Sequence, residues 1–352
     1  MNAVETTNAM HRALPNLPQR NRWLIWSRRV LLGLLVSLLA LASIGATYQA
    51  IATARDAPAF PPPGQLVDVG GYKLHIHCTG PTGTGNPTVI LEAGLGGTSS
   101  GWAWIQPEIA KTTQVCAYDR AGMGWSDPPT ETQDAQQIAK ALHTLLGNVG
   151  IASPYLLVGW SYGGLYTRVF AGQYRAEVAG MVLVDSSHPD QCTSTPAGEA
   201  QCKMNTRIYA IAPLLARLGV MRILRRWQPA SGLPAPQNDQ LLASFAATKD
   251  WDAQTAEYMA SPATNTQVRA AGSLDGLPLV VVSATEHGTP ADLEQLWQGW
   301  QREMVTLSTN RLHRVVDGAS HTSLVFDAVD AKASIAAIQA VIEAVRTGMP
   351  LQ

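Results

Sequence analysis

The sequence predicts an α/β protein: a mostly parallel sheet covered by helices on both faces, interrupted late in the chain by a helical insertion. A single apolar helix stands ahead of it. Three observations lead there. Short apolar runs of strand length alternate with segments of helical period, the pattern of successive β-α units. From about Ser186 to Asp275 that alternation gives way to helix-rich, proline-punctuated sequence. Val30 to Ile51 contains no charged residue over about 22 positions, long enough to cross a bilayer.

Taken in order, residues 1–29 carry Arg12, Arg20, Arg22, Arg28 and Arg29, with Trp23 and Trp26 beside the apolar run. The arginine bias keeps such a segment on the cytoplasmic side and exports the chain beyond the apolar run. Residues 30–51 read as a transmembrane signal anchor. The rival is a cleavable leader with Ala52-Thr53-Ala54 as its small-residue cleavage site. The long basic segment and long apolar run favour the anchor; with either, the remaining chain is extracytoplasmic, secreted if the leader is cut. Residues 55–63, rich in alanine and proline, read as a linker.

Residues 64–350 then form one domain. Leu66–Val69 and Tyr72–Cys78 suggest a hairpin about Gly70-Gly71. Further strands are expected at Thr88–Leu91, Gln114–Tyr118, Tyr155–Val158, Gly180–Val184, Leu277–Ser283 and Arg311–Val316. Helical patterns fall near Trp104–Ala110, Asp134–Leu146, Leu165–Arg175, Ala291–Leu307 and Ala331–Thr347. Residues 186–275 read as a helical cap inserted after the sixth strand of the core. Its apolar stretches, Ile208–Leu218 and Met221–Trp227, suit either a binding pocket or packing on the core.

Composition narrows the function. A hydrophobic content of 46% against 14% charged residues excludes general disorder. A net charge of −1 provides no basic footprint for nucleic acid. Four cysteines suit an oxidising compartment, and Cys192 and Cys202, ten positions apart in a polar segment, suit a local disulfide. No cysteine and histidine spacing suggests a metal site, and nothing calls for a cofactor.

The chemistry centres on Gly159-Trp160-Ser161-Tyr162-Gly163, which follows the apolar strand Tyr155–Val158 and precedes a helical pattern. A serine in so sharp a strand-to-helix turn crowds its neighbours, and the glycines two before and two after it lack the atoms that would clash. A serine hydroxyl needs a histidine base, and the base an orienting carboxylate. His321, in the Gly318-Ala319-Ser320-His321 loop after the last strand, is the best placed histidine. His11 precedes the apolar segment; His75, His77 and His313 lie in strands, His143 in a helix, and His188 and His287 in loops near candidate acids. Two carboxylates emerge at the carboxyl edge of the sheet, Asp185 after the sixth strand and Glu286 after the seventh, and both stay open. Two N–H donors for a developing oxyanion are expected from Tyr162 and, in the Glu92–Gly97 loop, Leu95.

The segments LEAGLGG (91–97), CAYDRAGMGWSD (116–127), GWSYGG (159–164), VLVDSSHPDQ (182–191) and GASH (318–321) together resemble the α/β-hydrolase superfamily, in its serine-dependent esterase-like group. They span residues 65 to 350. The resemblance implies about eight strands in the order 1-2-4-3-5-6-7-8 with the second antiparallel. That order makes the strands of Cys78 and Cys116 neighbours and suggests a cross-strand disulfide. In the family the acid usually follows the seventh strand, where Glu286 stands; some relatives carry it after the sixth, where Asp185 stands. A serine at the turn distinguishes the chain from the epoxide hydrolase and dehalogenase branches, which use aspartate. Ser126, in another loop and without the second glycine, is a decoy, and Asp119 reads as structural. The expected function is a membrane-anchored esterase- or lipase-like hydrolase acting on a small-molecule ester or similar acyl substrate. Amide or peptide cleavage, acyl transfer, perhydrolysis and non-catalytic binding are the alternatives.

Overall fold

The computed structural model describes residues 19–83, 85–228 and 231–352. His11, Arg12 and most of the expected cytoplasmic segment lie outside the described residues. Helix α1 (Gln19–Ala59) comes first. Strands β1 (Gln65–Asp68), β2 (Lys73–Thr79) and β3 (Thr88–Glu92) follow, then α2 (Gln106–Ile109), β4 (Val115–Tyr118) and α3 (Ala135–Val149). Next are β5 (Tyr155–Trp160), α4 (Gly163–Gln173) and β6 (Val178–Val184). The insertion between β6 and β7 comprises α5 (Pro196–Arg217), α6 (Val220–Leu224), α7 (Gln237–Ala246), α8 (Thr248–Met259) and α9 (Ser261–Ala270). The chain closes with β7 (Leu279–Glu286), α10 (Ala291–Val305), β8 (Arg311–Ser320), α11 (Ser323–Phe326) and α12 (Ala331–Thr347).

Eight strands form one sheet in the order β1-β2-β4-β3-β5-β6-β7-β8. β2 runs antiparallel to both neighbours and β3 through β8 are mutually parallel. The central strands are apolar on both faces because helices cover both. Leu157, Met181 and Leu183 pack toward Leu142 and Phe170 of α3 and α4. Their alternate neighbours Leu156, Val158, Val182 and Val184 pack toward Ile338 and Val341 of α12. Asp134 caps α3, accepting from the Gln136 and Gln137 N–H groups, and left-handed Gly150 ends it. Cys78 and Cys116 stand opposite each other in the β2–β4 register and are disulfide-bonded, as are Cys192 and Cys202.

Two segments differ from the sequence expectation. The helix expected near Trp104–Ala110 is shorter, α2 at Gln106–Ile109 with Pro107 in its first turn, and a 3-10 turn at Ser99–Trp102 precedes it. The presumed linker 55–63 continues α1 as far as Ala59. Tertiary contacts hold it: the Gln49 amide donates to the Ala246 carbonyl at 2.8 Å, and buried Arg222 of α6 bonds Gln49, Thr53 and Asp56. Alanine-rich sequence is compliant, and these partners decide its conformation.

Beneath the carboxyl edge of the sheet lies a closed polar cluster. Arg120, 2% exposed, donates to Glu92 at 2.8 Å and to Glu257 of α8 at 2.7 and 2.9 Å. It also donates to the Ala93 and Gly94 carbonyls at 2.7 and 2.8 Å. Its guanidinium lies 5.0 Å from the centre of the Tyr166 ring, and the Tyr118 hydroxyl donates to Glu92. Burial pushes the Glu92 carboxyl up to about 7 against the pull of Arg120 and Tyr118. Removing one partner of such a pair leaves a buried charge uncompensated. Glu257→Ala should therefore lower unfolding free energy by about 3–5 kcal/mol in denaturant titrations of the detergent-solubilised protein. A loss below about 1 kcal/mol, the range of exposed ion pairs, would contradict this account.

Candidate active site

Ser161 sits between the end of β5 and the start of α4 with φ of +56°, a left-handed conformation that a non-glycine residue rarely holds. The neighbouring glycines are required by space. A Cβ on Gly159 would lie 2.6 Å from the Gly163 carbonyl oxygen, and one on Gly163 would lie 2.2 Å from the Glu92 carbonyl oxygen. The strained turn is held from below: the Ser161 N–H donates to the Val184 carbonyl at 3.1 Å, and Ser187 N–H donates to the Ser161 carbonyl at 3.0 Å.

Asp185 directly follows β6, is fully buried, and also has positive φ, at +42°. His321 follows β8 directly and its Nδ1 lies 2.6 Å from Asp185 Oδ2. The same oxygen lies 2.7 Å from Nε2 of His287. Asp185 Oδ1 accepts from the indole N–H of Trp297 at 2.9 Å and from the Ala284 N–H at 3.2 Å. Burial pushes the Asp185 carboxyl up, but the hydrogen bonds and charges of His287 and His321 outweigh it and hold the group well below the usual carboxylate range. Asp185 is thus an acceptor only, so the ring nitrogens facing it carry their protons. For His321 that places the proton on Nδ1 and turns Nε2 into the acceptor.

Glu286 is the last residue of β7, exposed, and in register with Ser320. Of the two candidate acids, the fold brings Asp185 to His321 and leaves Glu286 at the surface. Sequence reasoning placed His287 near the acids without a role. It bridges two carboxylates, with Nδ1 2.9 Å from Glu294 of α10. Burial lowers the pKa of His287, yet Asp185 and Glu294 together raise it above its ordinary 6.5. Trp297 and Trp160 carried no readable signal. The Trp160 indole donates to the His321 carbonyl at 3.0 Å, and its ring centre lies 5.3 Å from the imidazole.

Tyr162 follows the serine directly, and Leu95 follows Gly94 in the loop that approaches it. Tyr162 is the residue before α4, so its N–H lies at the positive end of an 11-residue helix. Among the described residues neither the Tyr162 nor the Leu95 N–H has an acceptor. A Cβ on Gly94 would lie 2.9 Å from Ser161 Cβ, which measures how closely that loop approaches the serine. A cavity of about 350 Å³ opens between Gly96, Thr322 and Phe326 of the core and Leu241, Phe245, Trp251 and Gln254 of the insertion.

The other groups have local partners. Buried Ser126 donates to the Asp119 carbonyl, while the Asp119 carboxylate takes His75 at 3.0 Å and two backbone N–H groups. His143 pairs with Glu177, and His313 meets Ser283. Asp185, His287 and His321 are the one group among the described residues whose metal-ligand atoms converge, lying within 4.8 Å of one another. The mutual hydrogen bonds of these three side chains account for that convergence.

A family model described as alpha/beta hydrolase fold matches residues 87–328. The chain belongs to this family. An uncharacterised Schizosaccharomyces pombe protein is 25% identical to this hydrolase-fold chain over 74% of the chain and 52% of its own length. An uncharacterised vacuolar membrane protein of Saccharomyces cerevisiae is 32% identical over 34% of the chain and 21% of its own length. The chain thus spans about half or less of these relatives. A thermophilic esterase from Thermogutta terrifontis superposes with a TM-score of 0.60 at 20% identity, covering 80% of this chain and all of its own, a likeness of fold.

The raised pKa of His287 has a definite sign for stability. Its contribution is fully present below pH 6.5, its ordinary value, and is lost as pH rises through the higher folded value. His287→Gln should therefore lower Tm most at mildly acidic pH, and the difference from wild type should shrink toward alkaline pH in calorimetry. A difference that grows with pH would oppose the assignment.

Proposed function

We propose that this chain is a serine hydrolase that cleaves a carboxylic ester or similar acyl substrate through an acyl-enzyme. The observation that carries this reading is the 2.6 Å contact between Asp185 and Nδ1 of His321, which sets the tautomer a serine's base requires. In this reading His321 Nε2 takes the proton of the Ser161 hydroxyl as Oγ attacks the substrate carbonyl. The negative oxygen of the tetrahedral intermediate sits against the Leu95 and Tyr162 N–H groups, at the positive end of α4. The imidazolium then protonates the departing alcohol. A water deprotonated by the same nitrogen attacks the acyl-enzyme, and collapse releases the acid and restores Ser161. Asp185 holds the ring and balances its transient charge. The cavity between core and insertion, with Phe245, Trp251 and Phe326 in its wall, supports an apolar substrate group.

We further propose that the apolar part of α1 spans a membrane with the catalytic domain on the extracytoplasmic side. Arg22–Asp56 contains a window with a mean hydropathy of 2.3, and the large side chains from Trp23 to Ile44 are exposed. The arginines at its start and the two disulfides support this orientation.

Ser161→Ala should abolish covalent labelling by a fluorophosphonate probe, and retained labelling would remove Ser161 from the mechanism. Asp185→Asn should lower kcat/KM on p-nitrophenyl esters by about 10³–10⁴-fold, as expected when the base loses its tautomer. Glu286→Gln should leave it within about twofold, because surface substitutions away from a site change little. The reverse ranking would transfer the acid's role.

A further inference from the structure

The anchor helix meets the catalytic domain before it has risen through a full hydrocarbon core, although its outer face stays exposed as far as Tyr48 and Ile51. Its basic boundary is Arg28-Arg29, and its docked part begins at Gly45, where a Cβ would lie 2.3 Å from the Leu218 carbonyl oxygen. Residues 30–44 rise about 22 Å at 1.5 Å per residue, against a hydrocarbon core of about 30 Å. The remaining depth, about 8 Å, falls on residues 45–50, whose outer face carries exposed Tyr48 and whose inner face, at Gln49, is 4% exposed against the insertion. Whatever part of the insertion packs on the inner face of these residues shares their depth.

That part is apolar on its outer side. Met204, Ile208, Ile211 and Leu214 of α5 are each more than half exposed, at 51–56%. At 100° per residue they occupy an arc of roughly 120°, and Leu218, the residue that meets Gly45, falls inside the same arc. Ile223 and Leu224 at the end of α6 and Trp227 in the turn after it add exposed apolar area. Exposed Arg207 and Arg226 lie among these side chains, the mixture of apolar stems and cationic heads that suits a headgroup boundary. Arg222, buried in the same corner, is satisfied by Gln49, Thr53 and Asp56 and locks the insertion to the anchor.

We propose that the outer face of α5 and the turn after α6 rest in the outer leaflet of the membrane that α1 crosses. This rests on the spanning role proposed above. The catalytic domain then has a fixed pose, with its insertion on the lipid and its sheet above.

Nitroxide accessibility in the full chain tests this. Among the described residues no cysteine is free, so single labels can be placed by Ile208→Cys, Ile211→Cys and Leu214→Cys, with Leu38→Cys and Met349→Cys as references. The protein is reconstituted in phosphatidylcholine–phosphatidylglycerol nanodiscs, and variants with wild-type unfolding profiles are carried forward. Collision with oxygen, enriched in lipid, is compared with collision with a nickel chelate confined to water. The expected result is several-fold oxygen preference at positions 38, 208, 211 and 214, and nickel preference at 349. A water-like signal at 38 overturns the spanning role and the proposal with it. Lipid-like 38 with 208, 211 and 214 resembling 349 overturns the docking face alone. Protection of the three sites from both reagents also overturns it, because a second copy or another protein would then cover the face.

Discussion

The guanidinium of Arg120 is the interaction on which the architecture of this site depends. It is buried and spends its donors on two carboxylates and two carbonyls, so the charge is compensated at the place where it would otherwise be most costly. Its partners come from three regions: Glu92 at the end of β3, the Ala93-Gly94 loop that reaches Ser161, and Glu257 in the inserted α8. One side chain therefore ties the sheet, the loop beside the serine and the insertion into a unit. Its planar fork meets these partners in a geometry that a lysine could not reproduce.

Around that unit the structure concentrates strain where side chains must project. Ser161 and Asp185 directly follow adjacent strands and both adopt positive φ, each costing on the order of 1–3 kcal/mol. Backbone hydrogen bonds tie the two turns together: Ser161 to Val184, Ser187 to Ser161, and Asp185 to Val282. The two unfavourable conformations thus share one hydrogen-bonded frame, and the parallel register of β5, β6 and β7 fixes how far apart the projected groups stand.

The sheet was legible in the sequence because its strands are apolar on both faces and separated by helical periods, and strand order came with the family resemblance. The glycines about Ser161 were legible for a steric reason, and the structure gives the distances. Choosing between Asp185 and Glu286 was not possible from local sequence. Both lie at a carboxyl strand end, and only the packing of β8 against β7 brings His321 to one of them. Trp297 and His287 donate across more than a hundred residues of chain, a relation that no local pattern encodes. The continuation of α1 to Ala59 was missed because alanine-rich sequence accepts several conformations and the buried Arg222 contact decides among them.

The clamp from Trp160 to His321 has a mechanical consequence. Trp160 directly precedes Ser161, and its indole donates to the His321 carbonyl, so the serine's turn and the histidine's loop are joined by a direct hydrogen bond at the end of the central strand β5. Helix α8 is coupled differently, through Glu257 and Arg120, to the Ala93-Gly94 loop. Displacement of the insertion would thus disturb the loop that borders the serine before it disturbed the serine–histidine pair. In the proposed reading, access past the insertion and the alignment of Ser161 with His321 would therefore depend on different contacts.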